Sequence, residues 1–149
     1  MGRVSRSLYS RDILRLAASI PHYGRLAAAQ ASVEKASPVC GSRVVVDLAL
    51  DETGRVAAFG QEVRACALGQ ASAALLGAHA IGRAPDELAE ARDSLAAFLV
   101  GARDDPGDWP GLAVFHEARA YPARHAAILL AFDAAAEAAA RAAALASAR

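Results

Sequence analysis

The sequence contains little cysteine, few aromatic residues and no excess of charge of either sign. Cys40 and Cys66 are the only cysteines among 149 residues, and aromatic residues make up 5% of the chain. Lys+Arg and Asp+Glu both total 16, so the net charge provides no general attraction to nucleic acid or to an anionic membrane surface. We therefore expect neither nucleic acid nor membrane among the partners of this chain.

Long apolar runs are also missing. No uninterrupted run approaches the roughly 18 apolar residues of a membrane-spanning helix, because Asp133, Glu137 and Arg141 interrupt the alanine-rich tail. The first 19 residues contain four arginines and no continuous apolar segment, so no secretory signal is predicted. A chain with two cysteines and no export signal is expected in the reducing cytoplasm, where a structural disulfide is not expected.

Motifs for common enzymatic chemistry are absent as well. The sequence has no glycine-rich phosphate loop, no nucleophile elbow and no Ser/His/Asp set whose proximity can be argued. Asp104, Asp105 and Asp108 fit no calcium-loop template, so we interpret their segment as a solvated loop that Trp109 anchors to the core. The sequence therefore does not predict an enzyme.

The apolar pattern predicts one α+β domain over residues 1–149. It contains a three-stranded antiparallel meander packed with about five helices, the last of them long. The many alanines favour tightly packed helices. Strands are predicted at 25–37, 43–50 and 55–65, and helices at 112–120 and from near Ser10, Cys66, Pro85 and Pro122.

The predicted hairpin brings the two cysteines together. If the residues flanking the DETG turn pair directly, Val46 faces Phe59, and on continuing the ladder Cys40 lies opposite Ala65, one residue before Cys66. A bulge in the third strand would shift this register by one and leaves open the face to which each thiol points. We expect the two thiols to be neighbours at one end of the sheet.

Two interpretations of this cysteine pair remain open. Cys66 lies where a strand gives way to a helix, and the free N–H groups of a helix N-terminus favour a thiolate. Gly41 permits a turn beside Cys40 and leaves room for a ligand. The pair is then a soft-metal or sulfur-handling site with an incomplete ligand set. Alternatively, both cysteines are small buried hydrophobic residues.

Four segments, in order, resemble the IscU/SufU/NifU family of iron–sulfur cluster assembly scaffolds. They are "LYSRDILRLA", "PVCGSRVVVDLALD", "GRVAAFGQEVRACALGQASAALL" and "ARAYPARHAAILLAF". The last of these, and the long segment between Gly82 and Trp109, resemble the SufU-like branch. The resemblance covers nearly the whole chain and implies the same α+β fold.

The resemblance also implies a metal site, from which this sequence departs. The family holds a metal or nascent cluster with three cysteines and an aspartate. Cys40 and Cys66 match the first two cysteines, but Ser42 stands in place of the aspartate and Ala127 in place of the third cysteine. Alanine cannot ligate a metal, and serine is a poor ligand beside thiolates.

Other residues are weaker candidates for completing the site. His125, two positions before Ala127, is the candidate third ligand, although about 200° of helical rotation separates the two positions. His116 and Glu117 are weaker still. Arg124 matches the arginine before the family's third cysteine, which suggests support for a thiolate or for partner docking.

The resemblance implies a scaffold or sulfur acceptor. Cys66 would accept sulfur from a PLP-dependent cysteine desulfurase, and Cys40 and Cys66 would bind iron or zinc. A transient iron–sulfur cluster would then pass to apo-protein recipients. The alternative is a degenerate member, without metal or cluster, that serves as a partner-binding or regulatory module; Ser42 and Ala127 favour it.

Overall fold

The computed structural model describes residues 8–38 and 41–148. Within these residues the α-helices are α1 (Arg11–Ala17), α2 (Ala67–His79), α3 (Pro85–Leu99) and α4 (His125–Ser147). The strands are β1 (Ala31–Ala36), β2 (Arg43–Leu50) and β3 (Val56–Arg64), and two 3-10 helices are η1 (Leu112–Ala120) and η2 (Pro122–Arg124). None of the described helices combines the length and apolarity needed to cross a membrane.

The sheet is an antiparallel meander in the order β1, β2, β3. Along β2 the alternate residues Val44, Val46, Leu48 and Leu50 are all buried, as the alternating pattern predicts. Helix α4 packs across β1 and β2 and also against α2 and α3, so one face of the sheet and the long helix form the core. The predicted α+β class, with its meander and long C-terminal helix, is confirmed.

The end of the helical half differs in detail from the prediction. Residues 112–120 form a 3-10 helix, and the last α-helix begins at His125 rather than at Pro122. The N–H groups of Tyr121 and Arg124 each donate to the carbonyl three residues earlier, which closes 3-10 turns and delays the first α turn.

The predicted register of the hairpin is wrong. Val46 pairs with Gln61 rather than with Phe59, because an irregularity lies between Ala49 and Leu50, next to the turn. The ladder that placed Cys40 opposite Ala65 is therefore not the one in the structure, and Cys40 itself lies outside the described residues.

The first predicted strand is also too long, since residues 25–30 do not belong to it. Asp47 explains their position: its side chain points to the face of β2 opposite the core, yet it is only 1% exposed. Its carboxylate accepts hydrogen bonds from Arg25 (Nε–Oδ2 2.7 Å, Nη2–Oδ1 3.1 Å) and from the Leu26 N–H (3.0 Å). The segment around Arg25 and Leu26 is thus bound over the outer face of the sheet.

The charge of Asp47 is stabilised by these contacts. Burial by itself raises the pKa of Asp47, but hydrogen bonds from Arg25, Ser32 and the Leu26 N–H outweigh that effect and hold the pKa below its ordinary value. A carboxyl group with a lowered pKa in the folded state stabilises the fold wherever it is ionised.

Trp109 anchors the loop that precedes η1, as predicted. It is 4% exposed, and its indole N–H donates to the carbonyl of Leu75 at 2.9 Å. The ring stands at 84° to that of Phe132, with centroids 5.4 Å apart, and the Arg83 guanidinium lies 4.6 Å from the indole centroid. The loop is therefore fixed to both α2 and α4.

We predict that Asp47→Asn lowers the free energy of unfolding by about 2 kcal/mol at neutral pH, because it removes charge-assisted hydrogen bonds at a buried position. The pKa of Asp47 is lowered in the folded state. The ionised carboxylate therefore makes its full contribution to the free energy of unfolding above the unfolded-state pKa of about 3.9, and this contribution is lost as the pH falls through the folded-state pKa. Urea unfolding at several pH values should show that the difference in free energy of unfolding between the wild type and Asp47→Asn becomes smaller below about pH 4. Asp93→Asn, at the exposed Arg92–Asp93 pair, is the control and should change stability by at most about 0.5 kcal/mol. An equal loss of free energy of unfolding in Asp47→Asn and Asp93→Asn would contradict a stabilising role of the Asp47 hydrogen bonds.

Candidate functional site

Cys66 lies at the junction between β3 and α2. It is the N-cap residue of α2, with extended backbone angles (φ −65°, ψ 171°), and its carbonyl accepts the first helical hydrogen bond from the Gln70 N–H at 2.9 Å. The side chain makes no capping hydrogen bond and is partly exposed. Cys66 also packs against the edge of the hydrophobic core, so it is partly buried at the helix N-terminus, beside first-turn N–H groups that have no partner within the helix.

The first turn of α2 packs closely on the start of α4. A Cβ placed on Gly69 would lie 2.6 Å from the Ala65 Cβ and 3.1 Å from the Ala127 carbonyl oxygen. One turn further along, the Ser72 hydroxyl donates to the Ile128 carbonyl at 2.5 Å. These contacts bring Ala127, the position that the sequence resemblance matches to the family's third cysteine, beside the helical turn that begins at Cys66.

A tight turn at the other side of the site joins β1 to β2. The Ser37 N–H donates to the Ser42 carbonyl at 2.8 Å, and the Gly41 N–H donates to the Ser37 carbonyl at 2.9 Å. Gly41 has φ +72°, a conformation that suits glycine, so the turn predicted at this position is confirmed. Cys40, which precedes Gly41 in the sequence, lies outside the described residues.

The sheet register brings Ser42 to the same end as Cys66. Arg43 pairs with Arg64, so Ser42 and Ala65 occupy the next position on each chain, immediately before Cys66. Ser42, Cys66 and Ala127 therefore occupy neighbouring elements at one end of the core. The predicted proximity of Cys40 to Cys66 stays a prediction.

The serines at the base of the turn are buried polar groups. Ser37 and Ser42 are each 3% exposed. The Ser37 hydroxyl has no hydrogen-bond partner within residues 8–38 and 41–148. Sequence reasoning missed Ser37, because no motif singles it out and its burial is visible only in the structure.

The donor set in the described part of the chain is incomplete for a metal ion. It contains no group of three or more His, Cys, Asp or Glu side chains that could hold one. At this end of the core the described residues supply the thiol of Cys66, the hydroxyls of Ser37 and Ser42, and the methyl group of Ala127. These residues do not fit a four-ligand zinc site.

The imidazole of His125 contacts a backbone carbonyl. Its Nε2 lies 3.0 Å from the Ala118 carbonyl oxygen, and the residue lines a surface depression together with Val100 and Arg119. His116 and Glu117 are exposed on η1. That His125 supplies a third ligand stays a prediction, and Nε2 would have to leave its present partner to do so.

Comparison with solved structures identifies the class of protein to which this fold belongs. The N-terminal part of a nitrogen-fixing NifU-like protein from Brucella abortus matches with a TM-score of 0.87 and 36% identity, covering 93% of this chain and 96% of that chain. This chain belongs to the IscU/SufU/NifU-like family, which confirms the resemblance of its four sequence segments.

Two more distant structures share the fold. One is assigned as an iron–sulfur cluster assembly scaffold for the SUF system of Fervidobacterium islandicum AW-1 (TM-score 0.83, 22% identity, 91% of this chain and 98% of that chain). The other is a hypothetical protein (TM-score 0.71, 20% identity, with the same coverage). No protein-family model matches the chain, and no curated protein matches it.

We predict that Ser37→Ala raises the free energy of unfolding of the ligand-free protein by about 1 kcal/mol, because it removes a buried hydroxyl that has no hydrogen-bond partner among the described residues. Ser72→Ala is the matched control at a fully buried serine whose hydroxyl is bonded, and it should lower stability by a similar amount. Urea unfolding measures both. A Ser37→Ala variant that is less stable than wild type would contradict the assignment of an unpaired hydroxyl.

Proposed function

We propose that this chain acts in iron–sulfur cluster assembly as a scaffold that accepts sulfur on Cys66. The sulfur comes from a PLP-dependent cysteine desulfurase, and Cys40 and Cys66 bind the iron of the nascent cluster, or zinc. The cluster is cargo that passes to apo-protein recipients, and the chain itself is not an enzyme and works in the cytoplasm. The observation that carries the proposal is that Cys66, a residue of intermediate exposure whose side chain makes no capping hydrogen bond, lies at the N-cap of α2 in a chain of this family.

The sulfur step needs only the Cys66 side chain and a persulfide donor. The Cys66 thiolate attacks the outer sulfur of the donor persulfide, and a new S–S bond forms as the old one breaks. The donor leaves as a thiolate, and Cys66 becomes a persulfide. The helix N-terminus favours the anionic sulfur before and after this transfer.

Binding of iron or zinc depends on more than the two cysteines. Ser42 and Ala127 do not replace the carboxylate and thiolate that the family has at these positions. Bridging sulfide of the cluster, or a ligand from the partner protein, would complete the coordination. We therefore expect weaker metal binding than in a protein that supplies four strong ligands.

The same two substitutions favour a second candidate function. A family member that has lost half of its ligands can keep the fold and serve as a binding or regulatory module for a desulfurase. In that case no metal or labile sulfide accompanies the purified protein.

Anaerobic purification followed by analysis of iron, zinc and acid-labile sulfide separates these two functions. For the scaffold we expect metal or sulfide in the wild type and its loss in both Cys40→Ala and Cys66→Ala. Their absence from the wild type, together with unchanged stability in both variants, would contradict the scaffold and favour the binding module.

Restoring the missing ligands should restore tight metal binding. We predict that the double variant Ser42→Asp, Ala127→Cys retains near-stoichiometric zinc after dialysis, because it supplies three thiolates and a carboxylate. Ser42→Asp, Ala126→Cys is the matched control, since Ala126 is exposed on the same helical turn. Equal zinc retention in both double variants would contradict the assignment of position 127 to the site.

A further inference from the structure

Two arginines lie directly opposite each other at the end of the sheet that carries Cys66. Arg43 on β2 pairs with Arg64 on β3, and both side chains are exposed on the face of the sheet away from the core. Like charges at directly opposite positions of neighbouring strands are destabilising. Fold stability therefore does not account for this pair.

Within the described residues, acidic side chains neutralise the positive charge of only one of these two arginines. The Arg43 Nε lies 2.8 Å from the Glu34 carboxylate, in an exposed ion pair. Arg64 forms no salt bridge or side-chain hydrogen bond with any residue in the described part of the chain. The guanidinium of Arg64 is thus a solvent-exposed positive charge, two residues before Cys66.

The pair borders a depression of about 280 Å³ on the outer face of the sheet. Arg43 and Arg64 lie at the end nearest Cys66, and Glu34 and Glu62 form the next row, both paired with Val45. Tyr23 also lines the depression and is 59% exposed. Arg25 lines the depression as well, but it forms an ion pair with Asp47. The arginines nearest Cys66 are therefore Arg43 and Arg64, which we call the arginine band.

We propose that the band formed by Arg43 and Arg64 docks an acidic surface of the protein that delivers sulfur to Cys66. This inference rests on the proposed function. Because the chain has no net charge, the band attracts an acidic partner locally rather than through the field of the whole protein. The exposed Tyr23 ring adds amphipathic contact area of the kind that anchors interfaces.

The test compares two sulfur donors. Cysteine desulfurase of the same organism with L-cysteine is the protein donor, and glutathione persulfide is the small donor. Transfer is followed as the initial rate of addition of one sulfur to the chain by intact mass. Arg43→Gln and Arg64→Gln should each slow transfer from the desulfurase by about two- to fivefold at low salt, the effect of an exposed charge at an interface rim.

The controls separate docking from chemistry. Arg141→Gln removes the same charge on α4, 14 residues from Ala127 and therefore about 21 Å along the helix, and should not change the rate. Glu62→Gln should accelerate transfer from the desulfurase, because it removes repulsion toward an acidic partner. Glutathione persulfide is a small anion without a docking surface, so changes in its transfer rate should be much smaller than those with the desulfurase, and high salt should abolish both.

Two results would overturn the inference. The first is that Cys66 accepts sulfur from the desulfurase at rates that do not depend on Arg43 or Arg64, or accepts it from glutathione persulfide alone; either outcome removes the docking role and leaves sulfur acceptance intact. The second is that Cys66 accepts sulfur from neither donor. That outcome overturns the proposed function and the docking role together.

Discussion

The site depends on one close contact, that of Gly69 with Ala65 and with the carbonyl of Ala127. Any larger residue at position 69 would place a Cβ 3.1 Å from the Ala127 carbonyl oxygen and 2.6 Å from the Ala65 Cβ, so the first turn of α2 could not keep its present approach to α4. This approach sets the position of Cys66 relative to the start of the long helix. The bond from Ser72 to the Ile128 carbonyl fixes the same pair of helices one turn further on.

The two faces of the sheet have different surroundings at this end of the molecule. The inner face is covered by α4 and supplies the buried Ser42 and Ser37. The outer face is partly covered by the segment bound to Asp47, and the arginine pair beyond that segment stays exposed. The proposed sulfur acceptor, Cys66, and the proposed docking surface are thus adjacent but lie on different surfaces.

The sequence predicted the strand bounds of β2 and the fold class because these follow from local alternation and from the four family segments. The hairpin register was not predictable, since Val56 is held by backbone bonds to Gly82 and Arg83, far along the chain. The bound segment at residues 25–26 depends on a buried carboxylate, which no local pattern reveals. Cys66, Ser42 and Ala127 were singled out from the family segments and their roles stay predictions, whereas Ser37 and the arginine pair became apparent only from burial and register.

The central claim is that Cys66 is the residue that accepts sulfur. It is tested most directly by peptide mapping of the chain after one turnover of a cysteine desulfurase with isotopically labelled L-cysteine. The account predicts labelled sulfur on the peptide that contains Cys66, and none in a Cys66→Ser variant. Label confined to the peptide that contains Cys40, or label that persists unchanged in the Cys66→Ser variant, would contradict it.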